Sequence, residues 1–355
     1  MTTTPDADTQ NHATAGDSTS LSSSVTSLSS SVTPSSSVTP SASYDAGFYF
    51  QCAVVAVGVV GSAANALILY ALVDSKHHTK HLLIFNQNVL DFASCLFLVL
   101  TYSLKLCNIH LTGTLGYWLC MMILSENIMW WTIIGSTINL VSITIERYLR
   151  VVHPAWSKKH LNKWMICVAI AFAWIGGFIT NAVPIFLTSA VKDGVCYSVA
   201  FWKSREAELA YGIWYFLSFY AIVLLLFIFC YGRILVIIRR QANVMAKYTT
   251  AQTQSKQIQS NVAKTMLFVS AFFVITWTPL DVYYLLIIIN SNLSLLDSGY
   301  YALMSIAFLY VCTNPFIYAT NFDPVRRSLL KLISCKTSFN SGQQSSDLAV
   351  RSSTV

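Results

Sequence analysis

The sequence predicts an all-α membrane protein in which seven transmembrane helices form a bundle with the N-terminus outside the cell. Only 10% of the 355 residues are charged and 55% are hydrophobic, whereas a soluble protein carries about 25% charged residues. The hydrophobic residues form blocks long enough to cross a bilayer as helices, which takes about 20 residues. Lys and Arg are concentrated in every second connection and in the C-terminal tail.

The seven hydrophobic blocks are predicted to be helices because lipid offers no partners for unpaired backbone groups. They lack the alternating pattern of β-barrel strands. The blocks cover residues 47–73, 82–106, 118–146, 164–189, 209–237, 264–290 and 299–320. Together they predict one transmembrane domain over residues 47–322.

The orientation follows from the positive-inside rule. The first basic residue of the chain is Lys76. The connections after the first, third and fifth blocks, together with the tail, contain most of the Lys and Arg. The opposite side contains only Lys105, Lys192, Lys203 and Arg205. This asymmetry places the N-terminus outside and the C-terminus in the cytoplasm, and it accounts for the net charge of +7 without any nucleic-acid partner.

The N-terminal segment differs in composition from the blocks. Residues 1–46 are rich in Ser and Thr and repeat SSSVT three times. Such a segment cannot bury a core, so it predicts a disordered extracellular tail that is a candidate for O-glycosylation. An inert spacer and a binding role are both open for it.

The C-terminal segment predicts a short amphipathic helix at residues 323–335, lying on the inner leaflet with its basic side toward water. Cys335 at its end is a candidate for palmitoylation, the alternative being a free cytosolic thiol. Residues 336–355 form a predicted cytoplasmic tail, whose serines are candidates for phosphorylation and arrestin binding. The terminal residues Ser353, Thr354 and Val355 fit a PDZ-domain groove, or they have no partner.

Polar residues inside hydrophobic blocks indicate functional sites, because each is costly in lipid. The most conspicuous group is Glu146–Arg147–Tyr148, where charge appears at the end of an apolar block. Other blocks contain Asn65, Asp91, Ser136, Asn139, Trp174, Trp277, Pro279 and Asp281, and the last contains the motif NPFIY with Asn314, Pro315 and Tyr318.

The order of these residues resembles the rhodopsin-like (class A) G-protein-coupled receptors. The resemblance implies a plasma-membrane receptor that binds an extracellular ligand and activates a heterotrimeric G protein by outward movement of the sixth helix. It also implies that Glu146 holds Arg147 at rest and releases it on activation. The pair is then a two-state element whose equilibrium is shifted by the ligand on one side of the membrane and by the G protein on the other. The implied coupling residues are Glu146, Arg147, Tyr148, Tyr231, Asn314, Pro315 and Tyr318, and the implied toggle is Phe273, Trp277 and Pro279.

The resemblance implies three further sites. Asn65, Asp91, Ser136 and Asn314 are expected to converge on a buried polar pocket, where Asp91 is either protonated or holds an allosteric sodium ion. A disulfide between Cys120 and Cys196 is expected, since both lie on the oxidising side. Asn292, in the sequence NLS, is an expected glycosylation site on the outside.

Several residues depart from the family pattern. The segment from Cys120 to Arg147 is two residues longer than usual, so either a bulge in the outer part of the third helix or a shift of the disulfide is expected. Val223 replaces the usual proline of the fifth helix, and Gln259 replaces an acid found at the base of the sixth helix in some members. The usual sodium-pocket residues are replaced by Tyr310 and Val311.

The ligand site is expected to be an aromatic, mildly acidic bowl at the outer end. Met129 and Phe308 replace the amine-receptor aspartate and the opsin lysine, which argues against monoamines and light. The candidate ligand-binding residues are Glu126, Met129, Trp130, Tyr211, Tyr215, Asp281, Tyr284, Tyr300 and Met304. Acids in a partly dry site favour a cation, so a short basic peptide is expected; a small lipid-like or amine-like molecule is the alternative.

Two other classes of membrane protein fit the sequence less well. A transporter would show inverted repeats and broken helices in matching positions, and an ion channel would show a ring of charge. The sequence shows no internal repeat outside the N-terminal tail and no charged ring. A membrane hydrolase would show metal-ligand spacing such as H-E-x-x-H within a block, whereas the histidines lie in connections or the N-terminal tail. The sequence therefore predicts a receptor and no enzyme.

Overall fold

The computed structural model describes residues 42–75, 81–198, 200–245, 251–289, 298–321 and 325–331. The predicted N-terminal tail up to residue 41, Asn292, Cys335, the cytoplasmic tail and the Ser353–Thr354–Val355 terminus lie outside these ranges.

The described residues contain seven helices that are long and apolar enough to cross a membrane, which confirms the predicted fold class. The spans are Ala46–Asp74, Leu82–Leu106, Gly113–Val152, Lys163–Thr188, Arg205–Arg240, Ser260–Ile287 and Ser298–Thr320. Many of their exposed side chains are large and apolar, such as Phe172, Leu187 and Phe229. An outward apolar surface of this extent suits contact with lipid tails.

The helices in chain order are α1 (Ala42–Asp74), α2 (Leu82–Leu106), α3 (Gly113–Leu119), α4 (Asn127–Val152), α5 (Pro154–His160), α6 (Lys163–Thr188), α7 (Arg205–Phe216), α8 (Ile222–Met245), α9 (Ala251–Ile289) and α10 (Ser298–Asn321). The first helix begins five residues before the predicted block at 47. After α10, residues 325–331 are also helical, with Val325 buried and Arg326 and Arg327 exposed, as expected for the start of the amphipathic helix.

The third span is interrupted where the sequence predicted a bulge. Residues Cys120–Leu124 form a π-helical turn, and Glu126 then adopts a left-handed backbone with φ 64°. A π turn accommodates an extra residue within a helix. The interruption therefore absorbs the added length and lets α4 continue regularly to Arg147. A second π turn, Leu217–Ala221, separates α7 from α8, although the fifth span lacks a proline.

A β-hairpin connects α6 to α7. Strands β1 (Ala190–Lys192) and β2 (Val195–Tyr197) pair antiparallel, and the turn between them, Asp193–Gly194, has positive φ at both residues. Two-residue hairpin turns favour this conformation, and Asp-Gly adopts it readily. A disulfide joins Cys196 of β2 to Cys120, so the hairpin is held against the start of the third span.

Three helices contain internal prolines, namely Pro184 in α6, Pro279 in α9 and Pro315 in α10. Each removes one backbone hydrogen bond, which is tolerated in membranes because side chains re-satisfy the freed groups. The carbonyl of Val311, four residues before Pro315, accepts from Asn65 Nδ2 at 2.9 Å.

Candidate functional site

A cavity of about 350 Å³ lies at the end of the bundle that carries the Cys120–Cys196 disulfide. This volume is within the range of small-molecule sites. Ser125 and Ser198 line it near the hairpin, and Trp277 lines its inner part. The cavity therefore extends from the hairpin toward the middle of the bundle.

Glu126 is saturated by partners from the protein itself. Its Oε1 accepts from the Nζ of Lys105 and, at 3.0 Å, from the hydroxyl of Tyr102, and its Oε2 accepts from Trp130 Nε1 at 2.9 Å. The left-handed turn at Glu126 aims the carboxylate toward α2, where Lys105 and Tyr102 lie. Glu126 lines the cavity, as expected, but its charge is already neutralised by Lys105.

Asp281 is the acid that the cavity leaves without a partner. Its side chain is only 8% exposed and lines the cavity. Within the described residues it forms neither an ion pair nor a hydrogen bond. Three tyrosine rings line the same cavity: Tyr215 lies 6.2 Å from Tyr284 and 6.3 Å from Tyr211, centroid to centroid. A carboxylate beside aromatic faces is suited to a cation.

The remaining predicted ligand residues divide into two groups. Those that line the cavity are Trp130, Tyr211, Tyr215, Asp281, Tyr284, Tyr300 and Met304. Met129 does not: it is 1% exposed and packs in the core, because α4 turns Trp130 toward the cavity instead. Met129 is therefore reassigned from the ligand site to the core.

Sequence reasoning missed several lining residues, among them Lys105, Asn181, Trp202 and Ile134. The signal for Lys105 was present, since it is the one basic residue near the outer end of the second block and Glu126 lies near the outer end of the third. The residues between α6 and α7 carried no periodic signal, so Trp202 could not have been placed.

Aromatic rings connect the cavity to the opposite half of the bundle. Trp277 stacks on Phe273 with centroids 6.0 Å apart, and Phe273 lies 6.0 Å from Phe227 in an edge contact. Phe227 in turn lies 6.1 Å from Tyr231. Two of the predicted toggle residues, Phe273 and Trp277, are therefore in contact with each other and, through Phe227, with the predicted coupling residue Tyr231.

Asp91 is the centre of a buried polar cluster. It accepts hydrogen bonds from Ser136 Oγ at 2.7 Å, from Asn314 Nδ2 at 2.8 Å and from Gln87 Nε2 at 3.3 Å. Ser136 and Asn314 are where the sequence predicted them. Gln87 was missed, although it lies one helical turn before Asp91 and i,i+4 side chains meet on a helix.

The implied sodium ion does not fit this set of donors. Sodium binds oxygen atoms, as hard cations do, and each oxygen of Asp91 already accepts at least one hydrogen bond. The amide nitrogen of Gln87 also contacts Ser136 Oγ, so it occupies the space between the two best oxygen ligands. Three donors compensate the buried carboxyl without a metal.

Asn65 does not reach Asp91. Its amide donates to the carbonyls of Gly61 at 3.0 Å and Val311 at 2.9 Å. The expected convergence of Asn65 on the polar pocket is therefore replaced by a link between α1 and α10. An amide that pairs with backbone carbonyls holds two helices at a fixed distance.

Glu146 and Arg147 form an ion pair at the end of the bundle opposite the disulfide. Arg147 Nη2 donates to Glu146 Oε2 at 2.7 Å, and both side chains are 6% exposed. Arg150, one turn later, donates from Nε to the other oxygen of Glu146 at 2.8 Å. The Nε of Arg147 is buried and has no hydrogen-bond partner within the described residues.

The other predicted coupling residues lie on α4, α8 and α10. Tyr231 shares hydrogen bonds with Thr144 at 3.1 Å and Ser270 at 3.0 Å. Tyr318 is fully buried, and its hydroxyl lacks a partner in the described part of the chain. Tyr148 contacts Phe229 with centroids 5.7 Å apart. Pro315 lies in α10 between Asn314 and Tyr318.

The sequence profile of the family described as "7 transmembrane receptor (rhodopsin family)" matches residues 64–318, which is more than half of the chain. The chain belongs to the rhodopsin family of seven-transmembrane receptors. The resemblance drawn from its motifs is thereby confirmed.

Relatives within the rhodopsin family share about a quarter of their residues with this receptor. Lysophosphatidic acid receptor 3 of Rattus norvegicus is 23% identical over 77% of this chain and 75% of its own. The allatostatin-A receptor of Bombyx mori is 23% identical over 81% and 80%. Galanin receptor type 1 of Rattus norvegicus is 24% identical over 80% of each. The homologues thus include both peptide and lipid receptors.

Proposed function

We propose that this receptor binds a short peptide carrying one cationic group at the disulfide end and activates a heterotrimeric G protein at the Arg147 end. In this proposal the receptor lies in the plasma membrane with its N-terminus outside and its C-terminus in the cytoplasm. Glycosylation at Asn292, palmitoylation at Cys335, arrestin binding and PDZ binding remain predictions from the sequence.

The unpartnered carboxylate of Asp281 is the observation that supports a cationic ligand. A buried carboxylate without a partner is costly, and a ligand cation would remove that cost. The rings of Tyr215 and Tyr284 line the same cavity and would add cation–π attraction. Glu126 contributes little net charge because Lys105 neutralises it. One cation per ligand therefore suits the cavity better than two.

Contact between the cavity and the coupling residues supports signal transmission. The lining residue Trp277 is stacked on Phe273, and ring contacts continue through Phe227 to Tyr231. A ligand that shifts Trp277 would shift this stack, and Pro279 leaves α9 with a weakened backbone just beyond it. Outward movement of α9 would open the region around Arg147 to a G protein.

A lipid-like ligand is the second candidate, and Lys105 is the observation that favours it. Its ammonium group lines the cavity and has three donors, of which Glu126 engages one. Ile134, Leu280 and Ile287 give the cavity an apolar wall that would accept a chain. An anionic lipid would depend on Lys105, whereas a basic peptide would depend on Asp281.

The experiment is to express the receptor and measure GTP exchange on a purified heterotrimer in response to a tissue peptide extract, before and after protease digestion. Asp281→Asn is expected to weaken the potency of the active fraction about 10–100-fold, the effect of losing one hydrogen bond to a charged group. Arg147→Ala is expected to abolish the response.

Asp193→Asn is the matched control, because it removes an exposed acid from the hairpin turn, where Asn also adopts the left-handed conformation. It is expected to respond like the wild type. Activity that survives digestion and depends on Lys105 rather than Asp281 would support the lipid. A peptide response that survives Asp281→Asn unchanged would refute the proposed ligand site.

A further inference from the structure

We propose that Arg150 is a positioning residue of the coupling switch, which keeps Glu146 paired when Arg147 leaves it. The inference rests on the proposed coupling function at this end of the bundle. It concerns a second arginine that the predicted Glu146–Arg147 pair did not include.

The two arginines use different oxygens of the same carboxylate. Arg147 Nη2 donates to Oε2 of Glu146 at 2.7 Å, and Arg150 Nε donates to Oε1 at 2.8 Å. Arg150 lies one turn further along α4, the i,i+4 spacing at which side chains meet. Departure of Arg147 would therefore break one of these bonds and leave the other in place.

The exposure of the three side chains indicates why Glu146 needs a second partner when Arg147 leaves. Glu146 and Arg147 are each 6% exposed, whereas Arg150 is 34% exposed. A carboxylate at that depth is strongly destabilised when its only partner is removed. Arg150 supplies a second partner that is partly exposed to solvent, so it can remain paired with Glu146 without further loss of hydration.

Arg150 therefore lowers the free energy of releasing Arg147 in two ways. In the resting state it shares the negative charge of Glu146, which weakens the attraction on Arg147. In the released state it prevents a buried, unpaired carboxylate, and its guanidinium can engage both oxygens as a bidentate partner. Both effects favour release, so removing Arg150 should make the open state rarer.

The test measures the affinity of the ligand-free, full-length receptor in lipid vesicles for nucleotide-free heterotrimer, prepared by apyrase treatment. This affinity is linked to the population of the open state. Arg150→Gln is expected to raise the Kd about threefold, as for a partly exposed ion pair. Arg150→Lys, which retains the charge, is expected to restore most of the affinity.

The same substitution is then made beside Glu146→Gln, where no carboxylate remains to be paired. Glu146→Gln alone is expected to tighten binding, and adding Arg150→Gln is expected to change the Kd no further. Lys163→Gln is the matched control, because Lys163 is exposed at the start of α6 at the same end of the bundle. It should leave the Kd unchanged.

Three results would overturn the inference. Tighter binding by Arg150→Gln would mean that Arg150 strengthens the resting pair. Equal weakening with and without Glu146→Gln would mean that Arg150 contacts the G protein directly, and an unchanged Kd would mean that it has no part in the switch. If Arg147→Ala binds the heterotrimer as well as the wild type, the proposed coupling function itself fails, which is a distinguishable outcome.

Discussion

Glu126 and Asp281, two of the acids that line the cavity, are expected to change the thermal stability of the receptor in opposite directions when each is neutralised. Glu126→Gln removes a carboxylate that pairs with Lys105 and accepts from Tyr102 and Trp130. Asp281→Asn removes a carboxylate that has no partner within the described residues. The first change should lower the thermal stability of the ligand-free receptor, and the second should leave it unchanged or raise it.

The magnitudes follow from burial and pairing. The side chains of Lys105 and Glu126 are 29% and 16% exposed, so the loss lies below the 3–5 kcal/mol of a fully buried pair, at about 2–3 kcal/mol. Asp281 is 8% exposed, and removing an unpaired buried charge should raise stability by up to about 2 kcal/mol. Residues that serve ligands commonly reduce stability in this way.

The assay follows unfolding of purified, ligand-free receptor with a dye that fluoresces on reaction with thiols, because the buried free cysteines become reactive only on unfolding. Asp193→Asn serves as the control for an exposed acid. If Asp281→Asn lowers the melting temperature as much as Glu126→Gln, then Asp281 has a structural partner and the argument for a ligand cation is refuted.

Three further outcomes are expected in the same assay. Gly61→Ala should lower stability by about 1–2 kcal/mol, because its new methyl would lie 2.4 and 2.6 Å from two cysteine sulfurs. The control Gly232→Ala, whose new methyl would have no atom within 4 Å, should be neutral or slightly stabilising. Equal melting temperatures of the two variants would contradict the packing of α1. Replacing Cys120 and Cys196 by alanine should cost about 2–4 kcal/mol, so a wild-type melting temperature would exclude a stabilising role for the disulfide. Because Gln87 occupies the space beside Asp91, stability should be equal in sodium and potassium chloride, and a specific rise in sodium would show that the ion binds.

The sequence was sufficient for features that depend on composition or on neighbouring residues. Seven spans follow from apolar blocks of bilayer length, and the Glu146–Arg147 pair consists of adjacent residues. Motif order alone indicated the family, which the profile match confirms. The added length before Arg147 predicted an interruption of the third helix, and a π turn and a left-handed residue occur there.

What the sequence could not determine was the rotation of each helix relative to its neighbours. Successive residues on a helix point about 100° apart, so the bulge before α4 decides whether Met129 or Trp130 faces the cavity. It also decides that Glu126 meets Lys105 rather than a ligand, which leaves Asp281 as the one cavity acid unpaired among the described residues. Sequence determined which polar groups are placed in the membrane; tertiary structure decided which of them compensate one another, because pairing requires side chains from separate helices to meet within hydrogen-bonding distance.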